Sequence, residues 1–71
     1  MKAKKATVTA NGERRTIDLP CSISDFLGSS GWHTTQVVVE HNGQVVPRGA
    51  LRQVELRDGD QLEIIVPVAG G

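Results

Sequence analysis

Gln61-Leu62-Glu63-Ile64-Ile65-Val66 is a strand candidate, and the chain changes character directly after it, at Pro67-Val68-Ala69-Gly70-Gly71. The alternation in the first segment predicts a strand that turns Leu62, Ile64 and Val66 inward and Ile65 outward. Proline cannot donate to a sheet ladder, and glycine loses the most backbone entropy on ordering. We therefore expect a last strand that ends near residue 66 and a flexible tail over residues 67–71.

Two Asn-Gly pairs, at residues 11–12 and 42–43, each lie between runs of alternating apolar and polar residues. Asn-Gly favours a type I′ hairpin turn, which requires positive φ at both central residues. The pairs predict one hairpin over residues 6–19 and another over residues 36–46. Residues 50–56 are ambiguous, and we interpret them as a short turn followed by a brief strand at residues 54–56.

A short helix is predicted between the two hairpins. Ser22 precedes Asp25 by three residues, which is the spacing of a capping box. Apolar residues then follow at i, i+3 and i+4, from Ile23 to Leu27, and form one stripe on a helix. The glycines and serines of residues 28–31 weaken helical structure, so we expect about two turns.

One helix of this length can cover only one face of one sheet, so an α+β fold is predicted for a single domain over residues 1–66. The apolar last strand is expected at the centre of a mixed, four- to five-stranded sheet, which would project the tail from its middle. The expected core consists of Val8, Ile17, Leu19, Ile23, Phe26, Leu27, Val37, Val39, Leu51, Leu56, Leu62 and Ile64.

Composition narrows the classes of partner. Eight basic and eight acidic residues cancel, so no overall field attracts nucleic acid or an anionic membrane. No apolar run is long enough to cross a bilayer, and no apolar segment follows the charged start at residues 1–5. We expect a cytoplasmic protein that binds neither nucleic acid nor membrane.

The chain offers few groups for catalysis. Cys21, His33 and His41 do not match the spacing of metal ligands, so no metal site and no bound cofactor are expected. Cys21 precedes a helix, which could lower the pKa of its thiol, but a small, partly buried structural residue is the favoured interpretation. No Ser-His-Asp set is credible in a domain too small to form a water-excluding cleft.

The carboxylate of Gly71 is the remaining candidate. A carboxylate is a poor acyl donor until its oxygen becomes a leaving group, as happens when it attacks ATP and forms an acyl-adenylate. Gly70 and Gly71 lack a Cβ, so with Ala69 they could thread through a narrow channel of a partner's active site. The chain would then be the substrate of an enzyme and not itself an enzyme.

Three segments carry a resemblance to a known family. They are Val-Val-Val-Glu-His-Asn-Gly-Gln-Val-Val-Pro-Arg at residues 37–48, Arg-Asp-Gly-Asp-Gln-Leu-Glu-Ile-Ile at residues 57–65, and the final Gly70-Gly71. Together they resemble the β-grasp, ubiquitin-like sulfur carriers of prokaryotes, and within them the ThiS type of thiamine biosynthesis. Residues 66–71 are also similar to the MoaD type, the small subunit of molybdopterin synthase.

The resemblance implies a reaction cycle at Gly71. An E1-like adenylyltransferase of the ThiF type, using ATP and Mg²⁺, would adenylate its carboxylate. Sulfur supplied by a cysteine desulfurase or sulfurtransferase would replace AMP and leave a thiocarboxylate. A thiazole synthase of the ThiG type would accept that sulfur.

Other functions remain open at this point, and so does the partner surface. A MoaD-like donor would deliver sulfur to molybdopterin, a protein modifier would form an isopeptide bond, and a non-catalytic interaction module would not use the tail. Val38 and Ile65 are predicted on the outward side of neighbouring strands, where with Val68 they could bind a partner. Alternatively, a loop covers these side chains.

Overall fold

The computed structural model describes residues 4–68, which form five strands, one α-helix and one short 3₁₀ helix at Arg48–Ala50. The α-helix, α1, spans Ile23–Ser29. The strands are β1 (Lys4–Ala10), β2 (Glu13–Leu19), β3 (Val38–His41), β4 (Gln44–Val46) and β5 (Gln61–Ile65).

The five strands form one mixed sheet in the order β2-β1-β5-β3-β4. β5 lies at the centre, parallel to β1 and antiparallel to β3. The other two pairings are the antiparallel hairpins β1–β2 and β3–β4. The predicted α+β fold and the central position of the last strand are therefore confirmed.

Both Asn-Gly pairs form the predicted turns. Asn11 and Gly12 have φ values of 50° and 82°, and Asn42 and Gly43 have values of 50° and 86°. Positive φ at both central residues is the requirement of a type I′ turn. The sequence signal is thus confirmed at both hairpins.

The two turn asparagines also hydrogen-bond the central strand, which the sequence did not predict. Asn11 Oδ1 accepts from the Ile64 amide at 2.7 Å, and Asn11 Nδ2 donates to the Ile64 carbonyl at 3.1 Å. Asn42 Oδ1 accepts from the Gln61 amide at 2.9 Å. Each hairpin turn therefore fixes one part of β5.

The helix has the predicted cap and length. Ser22 Oγ accepts from the Asp25 amide at 3.0 Å, and the Asp25 carboxylate accepts from the Ser22 amide at 3.2 Å. Both bonds satisfy amide groups that a helix start would otherwise leave unpaired.

No helix within residues 4–68 is long and apolar enough to span a membrane.

The core between α1 and the sheet differs from the predicted core at one edge. Ile17 and Leu19 are only half-buried. A helix is roughly 10–12 Å wide, whereas five strands span about 19 Å, so α1 does not fully cover the edge strand β2. Ala6 and Ala10 of β1 are buried instead. The remaining ten predicted residues are buried: Val8, Ile23, Phe26, Leu27, Val37, Val39, Leu51, Leu56, Leu62 and Ile64.

Two local predictions were wrong. The turn predicted before residues 54–56 is present at residues 51–53, but the predicted strand is reduced to a single antiparallel bridge between Glu55 and Ser22. In this bridge the Ile23 amide donates to the Val54 carbonyl at 3.0 Å and the Leu56 amide to the Cys21 carbonyl at 2.8 Å. Val66 does not turn into the core, since β5 ends at Ile65 and Val66 is 55% exposed.

Candidate functional site

The tail leaves the domain from the end of its central strand. After β5, Val66 is 55% exposed, Pro67 is exposed and Val68 is 92% exposed. Ala69, Gly70 and Gly71 lie outside the described residues, so their threading and modification remain predictions. Because β5 is paired with β1 on one side and with β3 on the other, the position at which this segment leaves the sheet is fixed.

The face of the sheet opposite α1, here called the open face, carries the predicted partner residues. Val38 of β3 and Ile65 of β5 are direct partners in the antiparallel register. Val38 is 36% exposed and Ile65 is 41% exposed. The alternation of apolar and polar residues therefore predicted the outward position of both side chains correctly. The alternative was that a loop covers them, and within residues 4–68 no loop does. Their role in binding a partner stays a prediction.

Exposed apolar side chains are concentrated on one half of the molecule. Within residues 4–68, all large hydrophobic residues that are exposed lie on β3, β4 or β5 or directly after β5. Side chains on neighbouring strands form a continuous patch, whereas scattered exposed side chains need no explanation. The open face on this half is consequently the best candidate for a docking surface. The exposed residues are Val38, Val45, Ile65, Val66 and Val68.

A buried carboxylate anchors the beginning of β5. Asp60 is 9% exposed, and its Oδ2 accepts from the Arg57 amide at 2.8 Å and lies 3.0 Å from His41 Nε2. Its Oδ1 accepts from Asn42 Nδ2 at 3.1 Å. The sequence predicted residues 57–60 only as a turn. The second aspartate of Asp-Gly-Asp was the available signal, since a turn needs no carboxylate at that position.

This network lowers the pKa of Asp60 below its ordinary value of 3.8. Burial alone raises the pKa of the carboxyl, but hydrogen bonds from His41, Asn42 and the Arg57 amide outweigh it, with a further contribution from the charge of His41. A carboxylate held in its ionised form by the folded state stabilises that state.

We expect Asp60→Asn to lower the free energy of unfolding by about 1–3 kcal/mol at neutral pH, because an amide cannot accept all three hydrogen bonds. The pKa of Asp60 is lowered by folding, so the native stabilisation is present above pH 3.8 and is lost as the pH falls through the folded-state pKa. Urea unfolding of both chains at several pH values measures this. The difference should shrink below pH 3.8, and a constant difference would contradict the role of the ionised carboxylate.

Cys21, directly before the helix cap, is a free and partly buried cysteine. Burial and the nearby Asp25 carboxylate raise the pKa of the Cys21 thiol. The possibility that the following helix lowers this pKa is therefore wrong. Cys21 packs partly buried against the core. In the part of the chain that the structure describes, no three His, Cys, Asp or Glu side chains are placed to hold a metal ion.

The mixed sheet, its central last strand and the single covering helix define a β-grasp, ubiquitin-like domain. A crystal structure of the thiamine biosynthesis protein ThiS from Geobacter metallireducens superposes with a TM-score of 0.79, at 29% identity over 92% of this chain and 99% of that one. An NMR structure of a thiamine biosynthesis protein from the same organism gives a TM-score of 0.73 at 29% identity, over 92% of this chain and 87% of that one.

The chain belongs to the ThiS family, whose profile matches residues 8–71. The resemblance to ThiS-type sulfur carriers is thereby confirmed. Two curated relatives are thiazole synthases: that of Paramagnetospirillum magneticum is 38% identical over 61 residues, and that of Magnetococcus marinus is 33% identical over 61 residues. Each match covers 86% of this chain, and the chain spans only 19% of the length of either relative.

Proposed function

We propose that this chain carries sulfur for the formation of the thiazole of thiamine, as a thiocarboxylate on Gly71. The observation that carries the proposal is the ThiS family match, which extends through residue 71 and so includes the Gly-Gly end. The similarity to thiamine biosynthesis proteins of known structure supports the same pathway. The similarity to the MoaD type is confined to residues 66–71, whereas the ThiS family match covers residues 8–71.

The chemistry takes place in successive steps on a chain that ends at Gly71. A carboxylate oxygen of Gly71 attacks the α-phosphorus of ATP, which forms the acyl-adenylate and releases pyrophosphate. The terminal sulfur of the donor's persulfide then attacks the acyl carbon and AMP leaves, which forms an acyl disulfide. A second thiol forms a disulfide with the donor's cysteine and releases the thiocarboxylate, so one oxygen of the original carboxylate is replaced by sulfur. Gly70 and Ala69 give the reacting carbonyl reach and steric clearance.

Partner proteins supply everything else in the proposed cycle. An E1-like adenylyltransferase of the ThiF type binds the ATP and Mg²⁺, and a cysteine desulfurase or sulfurtransferase provides the sulfur. A thiazole synthase of the ThiG type accepts it, and the two relatives that are thiazole synthases support this last partner. The chain itself binds no cofactor in this scheme.

Intact-mass measurement tests the proposed chemistry. The chain is incubated with its adenylyltransferase, ATP, Mg²⁺, cysteine, a desulfurase and a thiol reductant, and a mass increase equal to one oxygen-to-sulfur exchange is expected. A protein modifier would instead gain the mass of an acceptor protein. An unchanged mass would leave only an interaction module.

We further propose that Val38 and Ile65, with Val68 at the start of the tail, contact the adenylyltransferase. Residues 66–68, which follow β5, are exposed, so we expect an enzyme that receives Gly71 to lie near the end of β5 as well. Exposed valine and isoleucine side chains gain free energy when a partner removes them from water, at about 25 cal/mol per Å².

Ile65→Asp should weaken binding to the adenylyltransferase by about tenfold or more, since it places a charge in a desolvated contact. Isothermal calorimetry or the KM for the chain in pyrophosphate release measures this. The free energy of unfolding should change by less than about 1 kcal/mol, because Ile65 is outside the core.

Thr16→Asp is the matched control, since Thr16 is exposed on the same face but lies on the edge strand β2. It should leave binding unchanged. Unfolding of the Ile65→Asp chain would show that Ile65 belongs to the core, and normal binding by a folded Ile65→Asp chain would exclude this surface.

A further inference from the structure

The open face contains a pair of like charges directly opposite each other. Glu40 of β3 and Glu63 of β5 are partners in the same antiparallel register as Val38 and Ile65. Side chains that are direct cross-strand partners have Cβ atoms about 4.5–5.5 Å apart, and like charges in this arrangement destabilise a sheet. The repulsion between the two carboxylates therefore lowers the stability of the folded chain.

Nothing in the described part of the chain neutralises this pair. Among residues 4–68, neither Glu40 nor Glu63 forms a hydrogen bond or an ion pair through its side chain. The remaining cross-strand neighbour of Glu40 on this face is Val45, which is 63% exposed. Towards β4 and towards the end of β5, the pair is thus bordered by the apolar side chains of Val45, Val38 and Ile65 and not by cations.

The other half of the open face is arranged differently. There Lys5 and Asp18 are direct cross-strand partners, and their side chains form an ion pair. Arg14 lies on the same half, opposite Thr9. The charge on the open face is therefore unevenly distributed. The half formed by β1 and β2 is balanced or basic, and the half formed by β3, β4 and β5 is acidic and apolar.

We propose that the carboxylates of Glu40 and Glu63 together accept an arginine or lysine side chain of the adenylyltransferase, presented among apolar side chains that cover Val38, Val45 and Ile65. A guanidinium can bridge two carboxylates with its fork of N–H donors, and its charge removes the repulsion between them. The charge layout of the open face also selects one orientation of the partner, because rotation by half a turn about β5 would move that cation to the β1 side of the sheet, away from both carboxylates and towards Arg14.

This inference rests on the proposed function and adds the chemistry by which the activating partner recognises the chain. It makes an unusual combination of predictions for the variants Glu40→Gln, Glu63→Gln and the double variant E40Q/E63Q. Each single change removes the repulsion, so the melting temperature should rise, by about 1–6 °C. Binding of E40Q/E63Q to the purified adenylyltransferase should nevertheless weaken by about tenfold.

Calorimetry at several salt concentrations tests this. The Kd of the unmodified chain should rise more steeply with salt than that of E40Q/E63Q, because ions screen the contact that the variant lacks. Glu55→Gln is the control matched in charge to each single variant: it removes one carboxylate at an exposed residue beside the helix start, where Glu55 pairs with Ser22. It should leave both Kd and salt dependence unchanged.

The possible failures are distinguishable. If the unmodified chain binds and is adenylated while E40Q/E63Q has the same Kd and salt dependence, this inference alone is wrong. A lower melting temperature in the single variants would also overturn it, since the pair would then stabilise the fold. If the unmodified chain neither binds nor is adenylated, the proposed function fails and this inference fails with it.

Discussion

Deletion of Gly71 from a chain that ends there should abolish both the acyl-adenylate and the thiocarboxylate. The attack on ATP requires the terminal carboxylate at one position in the partner's active site, and each missing residue withdraws it by up to about 3.3–3.6 Å. Misplacement of a reacting group by only about 1 Å can cost a hundredfold in rate. Pyrophosphate release and intact mass measure the two products.

Stability provides the control for this deletion. Val68 is already 92% exposed, so we expect the segment that follows to contribute little to the core, and the shortened chain should melt at the same temperature. A chain extended beyond Gly71 should fold equally well and should also be inactive, because an amide replaces the carboxylate. Full activity without Gly71 would contradict the sulfur-carrier and protein-modifier hypotheses together.

Phe26→Ala should unfold a large fraction of the chain near room temperature. Phe26 is 3% exposed beneath the sheet, and removal of a buried phenyl ring costs about 3–5 kcal/mol. That is a large part of the roughly 5–15 kcal/mol that holds a typical domain together, and a domain of 71 residues lies near the lower end. Urea unfolding followed by Trp32 fluorescence is a suitable measurement, since Trp32 packs against the core.

Phe26→Leu is the matched control for the ring deletion. Leucine fills much of the same volume, so it leaves a smaller cavity and should cost much less stability than alanine does. If alanine and leucine were equally mild, the helix would not be packed on the sheet as the structure has it.

The fold could be predicted largely because its signals are local. Each Asn-Gly turn requires positive φ, and Asn11 and Asn42 supply it at both hairpins. The capping box needs only Ser22 and Asp25. With both hairpins and the helix known, the apolar character of β5 indicated the central strand, because a strand with neighbours on both sides is shielded from water.

The errors arose where long-range contacts decide the structure. Residues 54–56 pair with the start of the helix, at a distance of about thirty residues along the chain, and no local pattern encodes that choice. Ile17 and Leu19 alternate like core residues, but β2 lies at the edge of the sheet, where both side chains are only half-buried. Asp60 looked like a turn residue because its partner His41 is remote in sequence.

The residues of the candidate site likewise divide into those that local sequence signals predicted and those that depend on long-range contacts. Gly71 was identified from the Gly-Gly pair and the resemblance to a family, which required no three-dimensional information. The outward positions of Val38 and Ile65 followed from strand alternation. The opposition of Glu40 and Glu63 could not be predicted, since it depends on the register between β3 and β5, and a shift of one residue would remove it.

The delivery of sulfur is the measurement that tests the proposed function most directly. The thiocarboxylate form of the chain, prepared with isotopically labelled sulfur from cysteine, is purified and given to a ThiG-type thiazole synthase as the sole source of sulfur. We predict that the label appears in the thiazole product and that the chain returns to its carboxylate form. A thiazole synthase that makes no labelled product while the thiocarboxylate remains intact would contradict a role of this chain in thiamine biosynthesis.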